Sequence, residues 1–234
     1  DNAIVKVSYI EIYNENVIDL LSDNPSSLYI VEDELKGVCC PNASEYIVNN
    51  YKDLKNIINK GNKKRTMAST NQNSFSSRSH AILQISLERR HFNKNNNNYD
   101  VYYSKLLIVD LAGSERGGQE KGKRREEGAN INKSLYTLGN CRNILSDKTK
   151  FGKFIPYRDS KLTRLLKDSL GGNILTVMLV CVSPSRFTYD ETISSLNYAT
   201  KAKKIQKKIN KNVKERCINN ICMNVVGNNQ YQEL

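Results

Sequence analysis

The sequence predicts an α/β fold with a central sheet flanked by helices, and three observations carry that expectation. Apolar, β-rich runs alternate along the chain with segments of helical periodicity, the pattern of layered sheet and helix. "LLIVD" is an apolar strand that delivers Asp110 at its C-terminal end, the place where open α/β sheets bind ligands. "ILTVMLVCV", at 174–182, is the longest apolar run and reaches only about half of what spans a bilayer. It therefore reads as a buried strand ending at Pro184, not a membrane helix.

The elements follow in order. "AIVKVSYIEIY" (3–13) is an alternating, β-rich stretch with no leading or capping segment before it, so the chain is expected to begin mid-domain. An irregular region follows "NENVIDLL", and then "YKDLKNIINK" (51–60) sets Leu54, Ile57 and Ile58 on one side of an amphipathic helix. The strand "SHAILQISLERRHF" (79–92) is joined through "NKNNNN" to "VYYSKLLIVDL" (101–111), the asparagine run reading as a solvated hairpin loop without function. A long helix over "INKSLYTLGNCRNIL" places Ile131, Leu135, Leu138 and Leu145 in register. "SKLTRLLKDSL" forms a helix closed by Gly171 and Gly172, with Leu162, Leu165, Leu166 and Leu170 inward and Lys161 and Arg164 outward. The last helix starts at a capping box, Thr188-x-x-Glu191, and runs into Lys201, Lys203 and Lys204, the charge order a helix dipole prefers.

Composition bounds the class. At 234 residues and 38% hydrophobic the chain can bury the core of one ordinary domain, and it reads as soluble, with no signal peptide at its start. A net charge of +12 and a pI near 9.4 favour an acidic partner, nucleic acid or an acidic protein surface, without choosing between them. The six cysteines (39, 40, 141, 181, 217 and 222) lack the paired spacing and histidines of a structural zinc site and read as reduced intracellular thiols.

Two polar stretches carry chemistry. In "NSFSSRSH" the hydroxyls of Ser76 and Ser77 suit magnesium ligation and the ordering of a water, while Arg78 can pair with a carboxylate such as Glu115. In "DLAGSE" the Asp110 carboxylate can hold a magnesium-bound water, and Gly113 lets a backbone N–H approach a phosphate oxygen. Phosphoryl transfer needs this positioning and charge neutralisation more than covalent catalysis. The cradle such chemistry requires, G-x-x-x-x-G-K-[ST], is missing. Its near match "GGQEKGKR" (117–124) has arginine where the magnesium-binding hydroxyl belongs and reads as a mobile basic loop. Either the chain is no nucleotide enzyme or its first half is absent. His80 reads as a buried histidine at a strand start, not as a catalytic base.

"NQNSFSSRSH", "LLIVDLAGSER", "EEGANINKSLYTLGNCRNIL", "FIPYRDSKLTRLLKDSLGG" and "YDETISSLNYATKAKKI" stand in the order and spacing of the C-terminal part of a kinesin motor domain, and "SYIEIYNENVIDLL" resembles the strand and turn before it. The resemblance covers about 1–213, lacks the N-terminal part with the phosphate loop, and in wording is closest to the kinesin-eight class. It implies a P-loop NTPase-like kinesin motor fold with an incomplete central mixed sheet, ATP and Mg²⁺ as cofactors, and microtubules as partner. Nucleic acid and membrane are not implied, and any homodimer would form through segments outside this chain. By motif, Asn73, Ser76, Ser77 and Arg78 match the first nucleotide switch, and Asp110, Gly113 and Glu115 the second. Asn73, Ser76, Ser77 and Gly113 would contact nucleotide, Ser77 and Asp110 (through water) the metal, and Arg78 would pair with Glu115 when γ-phosphate is bound. Tyr157, Arg158, Lys161 and Arg164 match the tubulin-facing surface. The resemblance divides the chain into a partial motor domain (1–205), a neck-linker-like segment (206–213) and a tail (214–234) expected to be poorly ordered. A location in the cytoplasm, on the microtubule cytoskeleton, goes with this reading. A microtubule-binding module without hydrolysis and a basic nucleic-acid binder stay open beside the motor. Against the latter, the lysines are not interleaved with exposed aromatics.

Overall fold

The structure, a computed structural model, describes residues 2–24, 27–33, 36–70, 78–93, 98–113, 123–150, 152–205 and 213–216. They divide into two units, 1–112 with 211–234, and 113–210.

In the first unit the alternating run forms β1 (Asn2–Tyr13), and β2 (Asn16–Asp19) folds back on it. The two turn residues between them, Asn14 and Glu15, have φ of 51° and 60°, the conformation that matches the twist of a two-residue hairpin. Asp19 holds the exit of β2: its Oδ1 accepts from Leu21 N–H at 2.8 Å and its Oδ2 from Ser44 N–H at 2.7 Å. β3 (Val31–Asp33) and β4 (Gly37–Cys39) make a separate two-stranded sheet, and β5 (Tyr46–Ile47) pairs with β1 at Lys6 and Val7.

α1 (Tyr51–Thr70) starts at a reciprocal cap, in which Asn50 Oδ1 accepts from Asp53 N–H at 3.0 Å and Asp53 Oδ2 from Asn49 N–H at 3.1 Å. Leu54, Ile57 and Ile58 face the core as their spacing predicts. The helix continues ten residues beyond the predicted end at 60, through Gly61, which lies against the ring of Tyr9, where a side chain would not fit.

β6 (His80–Asn93) and β7 (Asn98–Asp110) form a long hairpin, and β6 pairs with β1 along nearly its whole length. The main sheet runs β2-β1-β6-β7, with β8 (Val213–Arg216) last and β5 also on β1; every pairing among the described strands is antiparallel. The core beneath α1 comprises Val7, Tyr9, Leu20, Leu21, Tyr46, Ile57, Ala81 and Leu83. β8 joins the last residue of the neck-linker-like segment to the first three of the tail. The outer edge of β7 offers unpaired backbone at Tyr99–Tyr102, and Val213–Arg216 takes it up. Residues 206–212 and 217–234 lie outside the described residues.

The second unit is helical. It contains α2 (Lys123–Leu145), short 3-10 turns at Lys148–Lys150 and Tyr157–Asp159, α3 (Lys161–Leu165), α4 (Lys167–Gly171), a third 3-10 turn (Arg186–Thr188) and α5 (Tyr189–Lys203). Lys123 and Arg124, expected in a mobile basic loop, open α2, while 117–122 lie outside the described residues. Among the described residues of this unit, Leu138, Cys141, Leu162, Leu165 and Leu166 are the buried apolar ones, and Leu170 is half-buried. The single helix predicted over 160–170 is interrupted at Leu166 (ψ 6°), although Leu166 and Leu170 keep their hydrogen bonds to the carbonyls four residues back. Ser160 caps α3, its Oγ accepting from Leu162 N–H at 3.1 Å. Arg142 of α2 is buried and stacks on the Tyr198 ring of α5, its guanidinium carbon 3.6 Å from the ring centre.

Two expectations fail in this unit. The run 174–182 is not a buried strand: it has no regular secondary structure, and Leu175, Val177 and Leu179 are 77%, 80% and 89% exposed. A strand needs a neighbour for its backbone and a layer for its side chains, and no strand is described in this helical unit to supply the first. The capping box is also absent. Thr188 is the N-cap of α5, but its hydroxyl donates to Ser185 O at 3.2 Å and caps nothing. Among the described residues no helix is long and apolar enough to cross a membrane.

Candidate functional site

The polar residues of interest gather where the β6–β7 hairpin opens away from its loop. Antiparallel register pairs Ala81 with Asp110, so the start of β6 and the end of β7 share one edge of the sheet. Arg78, Ser79 and His80 therefore lie beside Asp110, Leu111 and Ala112, which brings the exit of the candidate first switch next to the entry of the second.

Arg65, on the last third of α1, ties this edge together. Its Nη1 donates to Asp110 Oδ2 at 2.8 Å and its Nη2 to Ser79 O at 3.4 Å, while its Nε stands 3.5 Å from Glu11 Oε1 on β1. One guanidinium thus spans the ends of three strands, using the planar fork that lysine lacks. Asp110 itself is 71% exposed at the side chain. Glu11 is 2% exposed, and burial raises its carboxyl above the ordinary range, with the Arg65 charge opposing that rise. The adjacent Tyr9 hydroxyl donates to Asn62 Oδ1 at 2.9 Å and orders the same stretch of α1.

His80 is 2% exposed, and its Nδ1 accepts a hydrogen bond from Ala112 N–H at 2.9 Å. Burial lowers its pKa to about 4, so the imidazole is neutral near pH 7. The sequence reading of a buried strand-start histidine holds.

Asp110 stands at the strand end the sequence predicts, and Arg78 is half-buried in a single 3-10 residue directly before Ser79. Gly113, half-buried, opens the helical unit. Asn73, Ser76, Ser77 and Glu115 lie outside the described residues, and with them the Arg78–Glu115 pair. Arg65 and Glu11 are the members the sequence reading missed. The signal for Glu11 was a lone charge in an otherwise apolar and aromatic strand centre, "YIEIY"; that for Arg65 was hidden by ending α1 at 60.

In the helical unit, Arg158 is exposed and Lys161 and Arg164 are half-buried along the 3-10 turn and α3. Tyr157, expected beside them on the surface, is half-buried, with its hydroxyl over Gly171 and its pKa pushed up to about 12 by burial.

The kinesin motor domain family model matches residues 1–205. Kinesin-like protein 6 of Schizosaccharomyces pombe is 46% identical over 227 residues, which is 91% of this chain and 29% of that protein. The human chromosome-associated kinesin KIF4A is 49% identical over 208 residues, 87% of this chain and 17% of that protein; mouse kinesin-like protein KIF18A is 46% identical over 209 residues, 88% and 23%. The chain thus spans less than a third of the length of these relatives. A solved structure described as that of a fast kinesin superposes with a TM-score of 0.80 at 37% identity, over 91% of this chain and 59% of that one. With the motifs, the strand-end aspartate and the overall fold in agreement, the chain belongs to the kinesin motor domain family.

Proposed function

We propose that this chain is part of an ATP-driven microtubule motor and carries its two nucleotide switches and its track-binding surface. The observation that supports this most is the Ala81↔Asp110 register, which sets the exit of the SSRSH segment against the DLAG segment at one sheet edge. The residues fit MgATP in kind: Asp110 offers an exposed carboxylate for a magnesium-bound water, and Ser77 is a hydroxyl ligand of the type magnesium takes. When bound, MgATP supplies the phosphoryl group and the charge around which such switches close. Arg65 orients the Asp110 carboxylate, Gly113 would bring a backbone N–H to a phosphate oxygen, and Asn73 and Ser76 would add the polar contacts of the first switch. The Arg78–Glu115 pair forms late and serves closure, not folding.

Arg158, Lys161 and Arg164 present the tubulin-facing charge. Cations that are exposed or half-buried and meet an acidic surface act by electrostatic steering, so binding should weaken as salt rises. Co-sedimentation with microtubules tests this: Lys161→Glu with Arg164→Glu should abolish binding, and Lys207→Glu with Lys208→Glu should matter less. The reverse order, or competition by duplex DNA as strong as by microtubules, would show a general anion binder. Cytoplasmic microtubules are the location this reading gives, with any homodimer formed by segments outside these residues.

A second reading, a microtubule-binding module without hydrolysis, is favoured by one observation: the 234 residues contain no G-x-x-x-x-G-K-[ST]. Lacking that cradle, the isolated chain should bind MgATP very weakly and show no microtubule-stimulated turnover. Robust hydrolysis that is lost in Glu115→Ala would refute this expectation.

A further inference from the structure

His80 is a buried histidine that the proposed chemistry does not use, and the hydrogen bond at its Nδ1 is unusual in kind. A ring nitrogen, Nδ1, accepts from a backbone N–H, that of Ala112, at 2.9 Å. An accepting Nδ1 places the proton of the neutral ring on Nε2. A protonated ring would set two donors against each other at this contact. A ring 2% exposed, with its lone pair committed to a backbone N–H, is also not free to take a proton from a water, which removes it from the role of general base.

The contact joins two particular points of the chain. His80 is the first residue of β6, two residues after Arg78, and Ala112 lies between Asp110 and Gly113. Ala112 N–H lies just beyond β7, where the ladder to β6 has ended at Ala81↔Asp110. A buried N–H in that position needs an acceptor that the strand no longer supplies, and the imidazole provides it.

We infer that His80 is a positioning residue of the second switch: its Nδ1 fixes the backbone of Ala112, one peptide before Gly113, to the strand that leaves the first switch. Arg65 makes a second tie across the same edge, between Ser79 O and the Asp110 carboxylate. The two ties differ physically. The Arg65 tie is charged and must yield if Asp110 turns to a metal-bound water, whereas the His80 tie is neutral, buried and indifferent to salt, and keeps the backbone in place while the carboxylate moves. This rests on the reading of the two segments as nucleotide switches.

Three measurements test it. In the 234-residue chain, ¹⁵N NMR of the imidazole at pH 7 should show an unprotonated, hydrogen-bonded Nδ1 and a proton on Nε2; the opposite tautomer overturns the inference without any mutation. Amide exchange at Ala112 should speed up about tenfold in His80→Leu, which loses the acceptor. It should stay within about threefold of the wild type in His80→Asn, whose Oδ1 falls near the place of Nδ1. Equal effects in both variants, or none in either, would reduce His80 to core packing. In the full-length protein that contains this chain, His80→Leu should lower kcat of microtubule-stimulated ATP turnover with little change in the microtubule concentration giving half-maximal rate, and His80→Asn should restore it. Normal kcat in His80→Leu overturns the positioning role. A wild-type protein without turnover instead overturns the motor reading, and the tautomer and exchange data then decide the His80 contact by themselves.

Discussion

Arg65 in the sheet unit and Arg142 in the helical unit are both drawn largely out of water, and their surroundings answer the cation in different ways. Arg65 meets carboxylates on both sides, Glu11 buried and Asp110 exposed. Arg142 has no carboxylate partner among the described residues. It stacks on the Tyr198 ring and donates to Tyr198 O at 3.3 Å and Asn143 Oδ1 at 3.1 Å, and burial lowers its pKa. The difference lies in what each would leave behind. Removing Arg65 strands a buried acid, whereas removing Arg142 leaves an aromatic face and neutral acceptors. A charged bridge therefore makes the sheet edge all-or-none, while a cation–π contact lets the helix pair adjust.

The largest expected effect follows directly. Arg65→Met should cost about 3 kcal/mol in denaturant unfolding, because breaking a buried pair leaves Glu11 unsatisfied, and adding Glu11→Leu should recover most of it. A loss below about 1 kcal/mol would mean that Glu11 is already neutral and that the contrast with Arg142 is false.

Acid should separate the two units next, since both histidines, His80 and His91, belong to the sheet unit. His80 has a folded pKa of about 4 against an ordinary 6.5, so as pH falls the unfolded chain takes the proton first. Stability from this group is complete above pH 6.5 and is lost between 6.5 and 4, about 2 kcal/mol of it by pH 5. Glu11, whose folded pKa is raised, acts in the opposite sense: its folded carboxyl protonates before the unfolded one and softens the loss at lower pH. Amide exchange at pH 7 and 5 should show the sheet loosening while α2 and α5 keep their protection. Equal loosening of both would remove His80 as the cause.

Arg142→Met should cost about 1 kcal/mol, Tyr198→Leu a similar amount, and the double variant less than their sum, since both remove one contact. The smallest effects concern caps within the helical unit. Ser160→Ala should cost about 1 kcal/mol, because Ser160 Oγ holds Leu162 N–H. Thr188→Ala should stay within a few tenths, because its hydroxyl caps no helical N–H. Reversal of these last two would restore the capping box that the sequence suggests.

The sequence exposed those parts of the molecule whose causes are local. The apolar stripe Leu54, Ile57 and Ile58 marks α1, the apolar run before Asp110 marks β7, and the place of Asp110 at a strand end follows from that run alone. Arg65 and Glu11 were not legible as a pair, since their meeting depends on α1 continuing past Gly61 and lying over β1, which no local pattern states. The run 174–182 shows the same limit from the other side. Its apolarity records a demand for burial, and only a neighbouring strand and layer can meet it. Thr188 had the right spacing to Glu191, but Ser185 O, three residues back, won its hydroxyl.

The β6–β7 hairpin also sets an order of assembly. Its strands are joined by only 94–97, so its ladder from Asn93↔Asn98 to Ala81↔Asp110 closes a very short loop, whereas β1 reaches β6 at Ile12↔His80 only by closing most of the first hundred residues. Short closures precede long ones, and the hairpin should form in the folding transition state with β1 docking afterwards. Folding-rate analysis of conservative truncations should give values near one for Ile85 and Leu107 and near zero for Val5 and Ile10. Glu11 then arrives last, after Asp110 and Ser79 are already side by side, and Arg65 is completed only when the final strand is in place.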